Sequence, residues 1–108
     1  MKPAVIWHSG KLRARQTAEA FWRHCNPLST FSAAHGLQPA DPPTWIANAL
    51  AAEARDVMLV GHFPHLPSLL AFLLAGGREA SAVDFPMNGI VALEETDGMW
   101  RERWRERP

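Results

Sequence analysis

The chain has 108 residues, with 11 Lys plus Arg balanced by 11 Asp plus Glu, so its formal charge at pH 7 is zero. That length argues for one small domain over 1–108, and the balance gives no reason to expect nucleic acid or an anionic membrane as partner. A small anionic ligand stays open, because a neutral chain can still focus a few Arg in one pocket. The apolar share of 47% is ample for a core. The single cysteine, Cys25, cannot form an internal disulfide and reads as an inert core thiol in a reducing compartment. No apolar stretch reaches the ~20 residues needed to cross a bilayer, so a cytoplasmic protein is expected.

In chain order, Pro3 to Trp7 is a short apolar run that predicts a buried strand, with its proline at the start, where a strand tolerates it. His8, Ser9 and Gly10 form a turn. From Lys11 to Cys25 the residues Ala14, Ala18, Phe21 and Cys25 make one apolar stripe, which predicts a helix with Ser9 as its N-cap. Asn26 to Asp41, broken by Pro27, Gly36 and Pro39, reads as irregular. Pro42 and Pro43 suit the entry of a second helix, in which Ile46, Ala49, Leu50 and Glu53 share a face flanked by Trp45. Asp56 to Val60 reads as a buried strand ending at Gly61 and His62.

A third helix is predicted from Pro64 to about Ala75, stopped by Gly76 and Gly77. Asp84 to Asn88 reads as a loop. Gly89 to Glu94 reads as a strand, Asp97-Gly98 as a hairpin turn, and Met99 to Arg105 as the partner strand, with Trp100 and Trp104 on one face. Strands alternating with helices imply an α/β domain, a three-layer α/β/α arrangement whose mostly parallel sheet ends in an antiparallel hairpin. Ligands of such sheets bind beyond the carboxyl ends of the strands.

Two segments put polar residues at that edge. The first runs from Ser9 to Glu19. A strand that feeds a turn and a helix N-terminus presents outward N–H groups and the positive end of a helix dipole. Lys11, Arg13 and Arg15 oppose that dipole, which is intelligible if an anion offsets them; Arg also offers a planar fork matched to phosphate oxygens. The plain alternative is a solvated basic face. The second segment, Val57 to His65, ends its strand with Gly61-His62. His62 there is a candidate cation or acid/base, or else a residue that only packs at a strand end. His62 and His65 do not read as a metal pair, because Pro64 intervenes and zinc-site spacing is absent elsewhere, so no metal or other cofactor is expected. His24 and His35 read as surface residues without companions.

Together, HSGKLRARQTAEAF and DVMLVGHFPHLPSLLAFLL resemble the histidine phosphatase superfamily, also called phosphoglycerate mutase-like. The first resembles its second strand and following helix, the second its later strand-Gly-His-x-Pro segment. The Phe85 to Val91 stretch, the Trp100 and Trp104 strand and Pro108 resemble the short SixA-type phosphohistidine phosphatase branch. The resemblance implies that Arg13 matches the family's second phosphate-binding Arg. It implies that His62 matches its second catalytic His, which binds the phosphoryl group and stabilises the transition state. It further implies a metal-free phosphohistidine phosphatase that passes the phosphoryl group to an enzyme His and then to water. The substrate implied is a phosphorylated protein carrying phosphohistidine, or a small phosphate ester.

The sequence departs from the family in one respect: it contains no Arg-His-Gly, the segment whose His is the family's nucleophile. His8 also follows a strand, but the LRARQTAE helix immediately after it resembles the one that follows the family's second strand, where this position is an ordinary one. The expectation is therefore an N-terminally truncated domain, inactive alone, with self-association through exposed sheet edges. Two other readings stand beside the enzyme. One is a non-catalytic phosphate- or phosphoprotein-binding module that keeps Arg13 and His62. The other is a generic α/β domain that oligomerises.

Overall fold

The computed structural model describes residues 3–25, 27–76, 85–86 and 89–106. They fall into two compact units, 1–65 and 66–108. The first contains β1 (Val5–His8), α1 (Leu12–Cys25), β2 (Thr30–Ala33), α2 (Pro43–Ala52) and β3 (Val57–Val60). The boundary falls after the first residue of α3 (His65–Leu74), and the second unit continues with β4 (Ile90–Thr96) and β5 (Met99–Glu106). The fold is α/β, with a parallel three-stranded sheet, three helices and an antiparallel hairpin. It is a phosphoglycerate mutase-like arrangement.

β1 is the centre of the parallel sheet, with order β2-β1-β3. Val5 and Ile6 are fully buried, as expected for a central strand covered on its faces. His8 stands opposite Ala33 on one side and Val60 on the other, so the three strands end level with one another. α1 packs on all three strands. It can approach closely because the inward residues Ala14 and Ala18 are small, and both are buried. Trp22 stacks on Phe31 of β2 at 5.2 Å between ring centroids, while its indole N–H donates to the Ser29 carbonyl.

β2 corrects the irregular reading of 26–41. Thr30, Ser32 and Ala33 are exposed and only Phe31 is half-buried, so the strand lacks the apolar alternation that would have marked it. β3 is half-buried along its length, not the fully buried strand expected, because it pairs only with β1 among the described residues. α2 starts as predicted, with Pro42 as N-cap and Pro43 in its first turn. Just before it, Gly36 has φ +97°, and a Cβ there would lie 2.9 Å from Trp45 Cβ and 3.0 Å from the Ile46 nitrogen. Only glycine fits this approach.

In the second unit, Leu69, Leu70, Ala71 and Leu73 of α3 are buried. The hairpin turns at Asp97 and Gly98, both with positive φ (53° and 81°), as a two-residue primed turn requires. The register shifts between Ala92 and Leu93, which oppose Trp104 and Glu102. The extra residue, Arg103, inverts the alternation beyond it. Trp100 is half-buried but Trp104 is 45% exposed, which corrects the expectation that they share a face. Of the loop predicted for 84–88, residues 84, 87 and 88 lie outside the described residues, as does Gly77.

Ile6→Ala should cost about 3 kcal/mol of unfolding free energy in urea titrations, through lost transfer energy plus a cavity. Leu12→Ala, at a side chain 70% exposed, should stay within about 0.5 kcal/mol. Gly36→Ala should cost about 2 kcal/mol, since positive φ and the close approach act together.

Candidate active site

Because the three parallel strands end level, the segments that follow them meet at one edge. Ala34 N–H donates to the His8 carbonyl at 2.8 Å, carrying the pairing one residue past β2. Ser9 follows β1 there, and Gly61 and His62 follow β3. Ser9 Oγ and His62 Nε2 lie 2.6 Å apart. Lys11 N–H donates to the same Oγ at 3.3 Å. Ser9 is therefore not the cap of α1: the first helical carbonyl is that of Lys11, which accepts Arg15 N–H. The Ser9 hydroxyl instead closes a turn ahead of the helix and reaches across to the segment that follows β3.

Gln38, in the segment between β2 and α2, supports this contact from beyond the end of β2. Its side-chain amide donates to the Ser9 carbonyl at 2.6 Å, and its own backbone N–H donates to the Asp41 carboxylate at 3.0 Å. A chain of hydrogen bonds thus runs Asp41–Gln38–Ser9–His62. The Pro- and Gly-rich context of Gln38 gave no periodic signal, so sequence reasoning passed it over.

Burial holds the His62 imidazole below its ordinary pKa, and the nearby Lys11 charge lowers it further. His62 is therefore mostly neutral near pH 7. It can take up a proton when an anion offsets Lys11, which is the behaviour wanted of a phosphate-binding imidazole. His8 is only 5% exposed and packs against the Phe31 ring at 4.9 Å. Its Nδ1 accepts Gly10 N–H at 3.1 Å, so the lone pair on that nitrogen is engaged. Its pKa is also lowered, by burial first and then by Arg15.

His65 is 1% exposed, and neither ring nitrogen has a hydrogen-bond partner among the described residues. Burial lowers its pKa, Asp41 opposes that shift, and His62 adds to it. His65 is thus a neutral core histidine. Among the described residues no group of three or more His, Cys, Asp or Glu is placed to hold a metal ion.

Arg13 lies in the first turn of α1, exposed, with no hydrogen bond or ion pair among the described residues. That turn holds no acidic residue. Lys11, Arg13 and Arg15 therefore give the positive end of the helix an uncompensated cationic character close to Ser9 and His62. Arg13 follows β1 and His62 follows β3, so both lie past the same edge of the sheet, with no hydrogen bond between them among the described residues. Of the remaining histidines, His24 is exposed, and His35, expected to stand alone, stacks on Trp45 at 4.5 Å.

This is the edge at which open α/β sheets bind ligands, and the comparisons agree with that class of fold. No known family profile matches the chain. No curated protein matches it in sequence. A crystal structure from Agrobacterium tumefaciens, of a protein provisionally named phosphohistidine phosphatase SixA, superposes with a TM-score of 0.70. The two are 26% identical, over 99% of this chain and 71% of that one. The likeness supports the histidine phosphatase-like fold that the sequence motifs implied.

The three depressed histidines set a pH dependence. Their folded pKa values lie below 6.5, so below that pH the unfolded chain binds more protons than the folded one. Stability should be complete above 6.5 and fall as pH drops from there. This window is distinct from that of Glu53, held at about 2 by Arg55, whose contribution is lost only at pH values below its ordinary 4.5. Urea midpoints measured from ~pH 7.5 to ~pH 5 should decline, and His65→Leu should flatten the decline. Lys11→Met should raise the His62 pKa, followed by NMR titration.

Proposed function

We propose that this edge is the phosphoryl-binding part of a phosphohistidine phosphatase site. His62 receives the phosphoryl group from one side. Arg13, at the start of α1, closes on its oxygens as a planar fork. The observation that carries this reading is the 2.6 Å contact between Ser9 and His62, which fixes an imidazole beside the cationic helix start. Arg13 and His62 are also the residues to which the family resemblance gives these roles.

In the reaction proposed, a nucleophilic imidazole attacks phosphorus while the bond from phosphorus to the substrate histidine breaks. The departing imidazole takes a proton, and water then cleaves the enzyme phosphohistidine to release phosphate. Charge develops on the equatorial oxygens of the phosphoryl group, where Arg13 and a protonated His62 act. The substrate is a protein phosphohistidine or a small phosphate ester, handled in a reducing, cytoplasmic setting. Residues 1–108 hold no Arg-His-Gly, so on this reading the nucleophile comes from outside them and the chain alone does not turn over. The same observation favours a second reading, a phosphate- or phosphoprotein-binding module without catalysis. Self-association through the edge of β3 that is unpaired among the described residues is compatible with either.

The test is calorimetric titration with inorganic phosphate, alongside phosphate release from a phosphohistidine peptide. The chain should bind phosphate and release none from the peptide. Arg13→Ala and His62→Ala should each weaken binding by roughly 10- to 100-fold, the size of a charge-assisted hydrogen-bond loss. Phosphate binding untouched by both substitutions would contradict the proposal. Turnover by the chain alone would overturn its inactivity and exclude the second reading.

A further inference from the structure

We infer that Ser9 is a positioning residue for His62, holding the neutral ring with its proton on Nδ1, and that Gln38 anchors Ser9 for this purpose. The inference rests on the reading of His62 as the phosphoryl-binding group, but it concerns the ring itself.

Hydrogen-bond capacity at Ser9 decides the tautomer. A serine hydroxyl has one hydrogen to give and two lone pairs to receive. Ser9 Oγ already receives Lys11 N–H. Ser9 is 6% exposed, so its hydroxyl hydrogen needs a partner within the protein. The acceptor in reach is His62 Nε2, at 2.6 Å. If Nε2 carried the proton instead, it would donate to Oγ and leave the Ser9 hydrogen unmatched. The satisfied arrangement is therefore Ser9 O–H donating to Nε2, with the His62 proton on Nδ1.

Gln38 makes the arrangement rigid. Its amide fixes the Ser9 carbonyl, and Asp41 in turn fixes the Gln38 backbone. The residue that carries the hydroxyl is thus held by the segment that follows the neighbouring strand β2. When His62 gains a proton, the hydrogen bond reverses: Nε2–H donates to Oγ, and the Ser9 hydrogen is released to turn toward a bound oxygen. Nδ1–H remains a donor throughout. The titratable groups that bear on His62 are Lys11, whose charge disfavours that proton, and His65, whose pKa burial lowers against the opposing charge of Asp41.

The test uses the full chain with 15N-labelled histidine, whose long-range proton–nitrogen correlations distinguish the two neutral tautomers. The wild-type His62 should show the Nδ1–H pattern above its pKa. Ser9→Ala should move it toward the Nε2–H form that a free histidine side chain prefers. Ser9→Thr should restore the Nδ1–H pattern. Gln38→Met should give an intermediate mixture. Phosphate affinity should fall about tenfold in Ser9→Ala and recover in Ser9→Thr. A wild-type His62 in the Nε2–H form would overturn the inference, as would a tautomer indifferent to Ser9→Ala. Phosphate binding indifferent to His62→Ala would instead remove the functional reading and leave the tautomer result standing.

Discussion

The parallel pairing of β1 with β2 on one side and β3 on the other, with His8 level with Ala33 and Val60, is the constraint on which the site depends. It brings the segments after three strands to a single edge. Ser9, Gln38 and His62 are then close enough to bond although they stand far apart in sequence. A slip of one residue in either pairing would reverse which face each side chain takes and separate Ser9 from His62. The buried Ile6 and Val5 oppose such a slip, because it would carry them out of the core. Packing in the sheet and geometry at its edge are one problem.

Charge is arranged at that edge in a way that stability alone does not explain. A helix start with three basic residues and no acid works against its own dipole. Burial first, and then these same charges, hold His62 and His8 below the ordinary imidazole pKa, through Lys11 and Arg15 respectively. An incoming dianion would relieve both conditions together: it would pair with the cations and allow His62 to protonate. On the proposed reading, a bound anion improves the state of the free protein.

The sequence carried the alternation of strands and helices, since the buried β1, the α1 stripe and the Pro42-Pro43 helix entry each have a local signal. β2 did not, because four mostly exposed residues show no apolar period. Nor did the bulge at Arg103, which depends on the partner strand and sends Trp104 to the face opposite Trp100. In the site, Arg13 and His62 are candidates that their motifs single out, and the structure adds how His62 is held. Gln38 and the Ser9–His62 contact are long-range, and nothing near them in sequence foretells them. Ser9 was assigned a helix cap because Ser before a helix often is one, but here the turn is two residues longer and its hydroxyl is used across the sheet.

The most direct measurement is a 1H–15N NMR titration of the chain with inorganic phosphate. The account predicts that the largest shifts fall on His62, Ser9 and the Lys11–Arg15 turn, with Gln38 following and the β4–β5 hairpin unmoved. Shifts centred on the hairpin, or none at this edge at saturating phosphate, would contradict it.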